Sequence, residues 1–405
     1  MQKKLLILGA GVYQVPLILK AKEMGLYTIA ASYAGPYPGL AIADEVWEID
    51  TTDYHHLLQK AQAARISGVC TTGTDVSVIS VGYLCEKLHL QGIPFSAASL
   101  ATNKASMKEA FLAKDVATPK ACKVFTDEEA LDAFSRLQPP VIVKAVDSSG
   151  SRGIQRADTK EQVLAARQDA MRVTRKDYVL VEQFITAHEI GVDGLISNGH
   201  IQLLLPHDKF TYTTGSTTLP EGHHFPYQCS KHLQKQIMEE ITRAVHALGL
   251  DNCAFNADVL VTSDDVYILE MGGRAGATCI PELISLHTGM DYYAALIRMA
   301  LGEKISCPSS GIQAKPCMAR LLFSKKEGIL TSIDQNRLEH LAQSGALFSL
   351  DYQIGETVPA IQNGTSRIGQ VIALTDDIHQ MDSLMSDVRH TIKIDGVDLE
   401  TLWNS

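Results

Sequence analysis

The chain lacks any apolar run of about eighteen residues, the length a membrane-spanning helix needs, so no helical span is expected. Positive charge is short: 36 lysines and arginines face 46 acids, for a net charge of −10. A sequence-independent nucleic-acid binder needs a basic face, and this balance argues against one. Paired Cys-x-x-Cys spacing is missing as well. The 8 cysteines stand scattered at 70, 85, 122, 229, 253, 279, 307 and 317. That spread argues against a disulfide frame or zinc site and reads as small buried hydrophobes in a reducing cytoplasm. A secretory leader is not expected, because Met-Gln-Lys-Lys runs directly into Leu5–Leu8, an apolar stretch too short for one. Repeats and low-complexity segments are absent. What is there is an ordinary globular composition, 45% hydrophobic and 20% charged over 405 residues. That is enough for two or three domains with a sizeable core.

Residues 1–93 alternate strand and helix. The strands are Leu5–Leu8, Tyr27–Ser32, Val46–Ile49 and Gly68–Thr71; the helices are Val15–Met24, Tyr54–Ala64 and Val76–Leu88. That rhythm predicts a parallel sheet with helices on its faces. Gly9-Ala-Gly11 falls at the first strand-to-helix turn, where a dinucleotide fingerprint would begin. Gln14 holds the place of the third glycine, and the second strand ends at Ala31-Ser32 without an acid to grip a ribose hydroxyl. Nicotinamide binding is therefore not expected. Two readings of Gly9 and Gly11 stay open: a turn that cradles a substrate phosphate or carboxylate, or tight packing alone.

Ile93-Pro94-Phe95 closes that unit. Asn103 reads as the N-cap of a helix over 104–114, which puts Lys104 in its first turn. The helix dipole disfavours a cation there, so Lys104 is either solvated or a phosphate contact. Lys144 then interrupts a β-branched strand that leads into Ser148-Ser149-Gly150-Ser151-Arg152-Gly153. Serial small residues let backbone N–H groups wrap phosphate oxygens, and a lysine adds a point charge. A Walker A ending is missing, and such a loop by itself is more often a plain connection. Helix Lys160–Val173 precedes strand Tyr178–Glu182, the segment Gln183-Phe184-Ile185, and a strand opened by Glu189. Between Leu205 and Ser230 the polar stretch with Thr211–Thr218 and His223-His224 predicts a lid or substrate loop. His223 is a candidate ligand or base, or else a structural histidine.

The most chemistry per residue lies from Asn256 to Arg274. The pattern predicts a strand over 254–262, a turn Ser263-Asp264-Asp265, and a strand over 266–271. With a three-residue turn, Asp258 and Glu270 fall directly opposite each other, with Cβ atoms about 5 Å apart. Like charges so placed are destabilising without compensation. A Mg²⁺ ion, which takes one or two carboxylates and completes its shell with phosphates and water, would supply it. The plainer reading is a hairpin with two solvated acids. Gly272-Gly273 makes a sharp bend, and Arg274 puts a fixed cation beside the acids. Beyond Cys307–Gly311 the residues read as a smaller β-rich unit with a helix Ile378–Val388.

Taken together, the order of a lysine at a helix start, a strand lysine, a Ser/Gly loop, a Glu-containing hinge, a later Glu, an Asp…Glu pair and an Arg resembles the ATP-grasp superfamily. The resemblance covers nearly the whole chain. It implies an α/β fold, α+β in the central module: an N-terminal Rossmann-like domain over 1–93, an ATP-grasp domain over 94–306 with a lid at about 120–188, and a β-rich domain over 307–405. By resemblance Lys104 and Lys144 contact phosphates, and Ser148, Ser149, Gly150, Ser151 and Gly153 belong to the loop that closes over them. Glu182, Gln183, Phe184 and Ile185 match the adenine hinge, and Glu189 the ribose-binding acid. Asp258 and Glu270 match the metal ligands, and Arg274 the arginine facing the transferred phosphate. Many members carry Asn where this chain has Gly272; the metal shell then loses one oxygen or uses Asn256. Gly9, Gly11, His223, Gly273 and Gly276 are the candidate substrate contacts.

The implied cofactors are ATP and Mg²⁺ or Mn²⁺. The implied partners are a small-molecule carboxylate and an amine, with neither nucleic acid nor membrane, and a homodimer lies within the family's range. The expected activity is a cytoplasmic, ADP-producing carboxylate–amine ligase. The competing readings are a bicarbonate-activating carboxylase or carbamoyl-phosphate-type enzyme, and a non-catalytic nucleotide-binding module.

Overall fold

The computed structural model describes residues 2–148, 152–214, 217–307, 314–343, 345–362 and 366–404. Ser149, Gly150 and Ser151 of the expected phosphate loop lie outside the described residues. Two compact units form. The first holds Met1–Leu205, Gln228–Ala277 and Tyr293–Cys307; the second holds Pro206–Tyr227, Thr278–Tyr292 and Pro308–Ser405. Among the described residues no helix is long and apolar enough to cross a membrane.

The first unit opens with a parallel sheet in the order Glu45–Glu48, Tyr27–Ser32, Lys4–Leu8, Gly68–Cys70. Leu5 through Leu8 have no exposed surface, as a parallel strand covered on both faces requires. Helices Val15–Glu23, Tyr54–Ala64 and Val78–Leu88 follow the first, third and fourth strands. Gln14 shows what replaces the third glycine of a dinucleotide turn. Its side-chain oxygen accepts from the Gly11 N–H at 2.8 Å, and its amide donates to the Thr72 carbonyl at 2.5 Å. A Cβ on Gly9, which sits at φ +103, would come 3.0 Å from that side chain. The turn is thus closed over by its own glutamine, and it is tied to the loop after the fourth strand.

A four-stranded antiparallel sheet follows, ordered Ala121–Val124, Val179–Gln183, Val141–Lys144, Ile154–Ala157. Helices Asp127–Leu137 and Lys160–Val173 pack on it through Ala130, Phe134, Val163 and Ala166. Thr126 caps the first helix, whose first turn carries three acids, and a Thr159–Gln162 capping box starts the second. Elsewhere in this unit strand Cys253–Val261 lies between His188–Ser197 and Val266–Gly272. Helix Lys231–Leu248 packs against the Val266–Gly272 strand.

The second unit differs from expectation at its start. The polar stretch after Leu205 is not a loop. Strands His200–Thr214 and Thr217–Phe225 pair as an antiparallel hairpin, with Asp208 beside His224 and a bulge between Phe210 and Thr211. Alternating Thr and Tyr are strong strand formers, and their polarity reflects a half-exposed face rather than a missing element. Thr217–Phe225 pairs with Cys317–Leu322, which pairs with Gly369–Ala373 and through it with Leu347–Leu350. Helix Ile378–His390 covers a core of Met318, Leu322, Val371, Met381 and Met385.

Candidate active site

Asp258 and Glu270 pair directly across the hairpin, but not through the turn the sequence suggests. Val261 pairs with Val266, so Thr262–Asp265 form a four-residue loop. That register alone would set Asp258 opposite Leu269 and turn Glu270 to the other face. A bulge between Asp258 and Val259 shifts the ladder: Val259 pairs with Ile268, and Asp258 with Glu270. The extra residue, Leu269, restores the carboxylate pair. Both acids are half-buried.

Lys104 reaches this pair. Asn103 caps its helix by accepting from Ala105 N at 3.0 Å and Ser106 N at 3.1 Å. The Lys104 ammonium lies 3.0 Å from Glu270 Oε2 and donates to the Ser148 carbonyl at 3.0 Å. Burial pulls that ammonium down, but Glu270, Asp75 and Asp258 outweigh it and hold its pKa above the ordinary lysine value. Lys104 therefore joins the acidic hairpin to Ser148. Ser148 Oγ donates to the Arg152 carbonyl at 2.7 Å, and Gly153 packs at φ +68 with its carbonyl on Ala145 N.

The strand lysine sits deeper. Lys144 and Lys108 both pair with Glu182, Lys108 at 2.9 Å from Oε2, and all three are buried. Lys108 also donates to Thr118 Oγ1. Two cations hold the Glu182 carboxyl below the usual range even though burial opposes them. The Glu182 carboxylate thus faces inward. A cavity of about 440 Å³ begins at the next residue, lined by Gln183, Phe184, Ile185, Thr118, Lys120 and Tyr267. Its volume lies in the range of small-molecule pockets, about 300–1,000 Å³, and the Gln183 and Phe184 N–H groups are already bonded to the Lys120 and Pro140 carbonyls. Glu189 is exposed on its strand.

Arg274 is held on several sides. Asp75 accepts from Nε at 2.8 Å and from Nη2 at 2.9 Å; Asn256 Oδ1 accepts from Nη1 at 3.0 Å, and the Ala275 carbonyl from Nη1 at 3.3 Å. Asn256 in turn donates to Asp193 Oδ2 at 2.8 Å, and Gly276 N donates to Asp193 Oδ1 at 3.1 Å. Gly273 allows close packing, since a Cβ there would meet Ile93 Cδ1 at 2.3 Å. His223 belongs to the second unit, buried with its ring against His207 at 4.8 Å between centroids. Burial first, then His207 and Lys209, hold it well below the ordinary histidine value, so it is neutral.

Lys104, Lys144, Ser148, Gly153, Glu182 to Ile185, Glu189, Asn256, Asp258, Glu270, Gly273, Arg274 and Gly276 all lie in the first unit. Three charged residues there escaped sequence reading: Lys108, Asp75 and Asp193. Lys108 had a signal, because it stands four residues after Lys104 on the same helix face. Asp75 sits in a loop and had none. Among the described residues no group of three or more His, Cys, Asp or Glu could hold a metal. Two facing carboxylates with hard oxygen donors nonetheless fit Mg²⁺, which needs only one or two from the protein.

The family described as D-ala D-ala ligase C-terminus matches residues 115–300. The crystal structure of phosphoribosylglycinamide synthetase from Anaerococcus prevotii is 30% identical, with a TM-score of 0.79, and covers 97% of this chain and 99% of that one. D-alanine–D-alanine ligase of Trichlorobacter lovleyi is 26% identical over 55% of this chain and 74% of that protein. The biotin carboxylase domain of Hydrogenobacter thermophilus 2-oxoglutarate carboxylase, solved with MgADP and bicarbonate, has the same fold. Its TM-score is 0.80 at 17% identity, covering 100% of this chain and 97% of that one.

Proposed function

The chain belongs to the ATP-grasp superfamily, and from that premise we propose that it is an ATP- and Mg²⁺-dependent ligase. In this reading it activates a small-molecule carboxylate as an acyl-phosphate for attack by an amine or ammonia, releasing ADP and phosphate. The observation that carries it is the bulge-corrected pairing of Asp258 with Glu270, with Lys104 on one of those acids.

Asp258 and Glu270 would hold Mg²⁺, which when bound neutralises charge on the phosphates. Lys104 stands on Glu270 and on the Ser148 carbonyl, and in this reading it takes part of the phosphates' charge. Lys144 adds a second cation, oriented by Glu182. The cavity beginning at Gln183 is where adenine would stack, beside Phe184 and Ile185. In the transfer a carboxylate oxygen takes the γ-phosphoryl and ADP leaves. The amine then attacks the carbonyl carbon, loses a proton and expels phosphate. Arg274 supplies N–H donation to the oxyanion of both steps. Exclusion of water from the closed site would keep the acyl-phosphate from hydrolysis.

A phosphate-release screen of the purified protein with Mg·ATP tests this, against panels of amino acids, other carboxylates and bicarbonate, each with and without amines. The expected result is phosphate release that needs both a carboxylate and an amine. Release that needs bicarbonate alone would assign a carboxylase instead, and nucleotide binding without turnover on any panel would assign a non-catalytic module.

A further inference from the structure

Residue 272 is two positions beyond Glu270, so it shares the face that carries both acids. In this chain it is glycine, and the space its side chain would fill is taken. A Cβ there would lie 2.8 Å from Asp75 Oδ1 and 3.8 Å from Arg274 Cζ and Nε. Asp75 comes from the loop after strand Gly68–Cys70. That loop is docked onto the end of the hairpin by a parallel bridge between Thr72 and Ala275 and by Gly73 N donating to the Ala275 carbonyl at 3.1 Å. Gly73 permits the approach, since it sits at φ +67 and a Cβ on it would strike Tyr13 Cβ at 2.7 Å. The Asp75 carbonyl accepts from Val78 N at 3.1 Å, which ties the aspartate to a helix start.

We propose that Asp75 is the positioning residue for Arg274, and that Gly272 is glycine because it admits Asp75. This rests on the reading of Arg274 as the group facing the reacting oxygens. Arginine has five N–H donors in a fixed fork. Nε and one N–H of Nη2 go to Asp75, and both N–H groups of Nη1 go to Asn256 and Ala275. One N–H of Nη2 remains without a partner among the described residues. Arg274 so held cannot grip a carboxylate with two parallel bonds. It can donate once, to a single oxygen that gains charge in the transition state, which places its effect on kcat rather than KM.

The test is a double-mutant cycle in the full-length protein: Asp75→Ala, Gly272→Ala, the pair together, and Asp75→Asn. Mg·ADP affinity, measured by calorimetry, is expected to stay at the parent value and serves as the check of folding. With the substrates found by the phosphate-release screen, each single alanine variant is expected to lower kcat on the order of 10²-fold with KM unchanged, the size of effect seen for small misplacements. The double variant should be no worse than either alone, and Asp75→Asn, which keeps one acceptor but not the charge, should fall between parent and Asp75→Ala. Gly272→Ala at the parent rate, losses that multiply in the double variant, or losses confined to KM would overturn the proposal. Thermal midpoints of the same four variants keep the two readings apart. Additive shifts there would remove the Asp75–Gly272 coupling whatever the reaction. A parent without turnover but with strongly non-additive midpoints would remove the ligase reading and leave the coupling.

Discussion

Glu182 is one buried carboxylate between two buried ammoniums, so the trio carries an unbalanced positive charge. Lys108 bears the cost. Burial pushes its ammonium down to about 8, and Lys144 pushes the same way, against the opposing pull of Glu182. The ordinary lysine value is 10.5. Between those values the unfolded chain keeps a proton that the folded chain releases, so stability rises as pH climbs from about 8. Lys108→Met should flatten that rise, and denaturant midpoints at successive pH values would show it. Equal slopes in the two proteins would mean that Lys108 does not titrate in this window. At the same scale Lys144→Ala should raise the ATP KM and lower kcat, because the proposed site uses it as a cation for the phosphates. Unchanged steady-state ATP kinetics in that variant would take Lys144 out of the site.

The hairpin is the element that brings the two acids together. Its two strands and the facing of its two acids are legible from alternation and from the even spacing of positions 258 and 270. The loop length is not, and neither is the bulge at Leu269; two one-residue departures cancel, which no local pattern records. Glu270→Gln should abolish turnover while leaving stability in metal-free buffer within about 1 kcal/mol. It turns the ion pair with the largely buried Lys104 into a neutral hydrogen bond while Asp75 and Asp258 still act on that ammonium, a cost of about 1 kcal/mol. It also relieves repulsion across the strands from Asp258, worth about 0.2–1 kcal/mol. A large stability loss with or without metal would mean that Glu270 is structural. The Thr217–Phe225 strand supplies a second test. Buried His223 stays neutral when folded, so below its ordinary value of 6.5 the unfolded chain alone gains a proton and stability falls as pH drops. His223→Gln should lessen that fall by up to about 1.4 kcal/mol per pH unit in urea titrations. A fall as steep as the parent's would mean that His223 carries a proton when folded.

For the whole molecule, the order of motifs along the chain was enough to point to the superfamily, because a lysine, a loop, a hinge and an acid pair in sequence constrain one another more than each does alone. What sequence order could not give is what long-range contact decides. Asp75 is 199 positions from Arg274, and only the docking of its loop on Ala275 brings the two together. Gly272 likewise looks like a lost ligand in the sequence and is seen in the fold as room for that aspartate. Nucleotide should stabilise this assembly by mass action. Mg·ADP at about 100 times its Kd should add about 2.7 kcal/mol, read as a higher thermal midpoint that a chelator lowers again.

The acyl-phosphate step is the central claim, and isotope transfer tests it most directly. The carboxylate found in the screen is labelled with ¹⁸O at its carboxyl group, turned over with Mg·ATP and amine, and the released phosphate is weighed by mass spectrometry. Attack of a carboxylate oxygen on the γ-phosphorus must leave one labelled oxygen in phosphate, alongside ADP. Unlabelled phosphate, or AMP and pyrophosphate in its place, would contradict it.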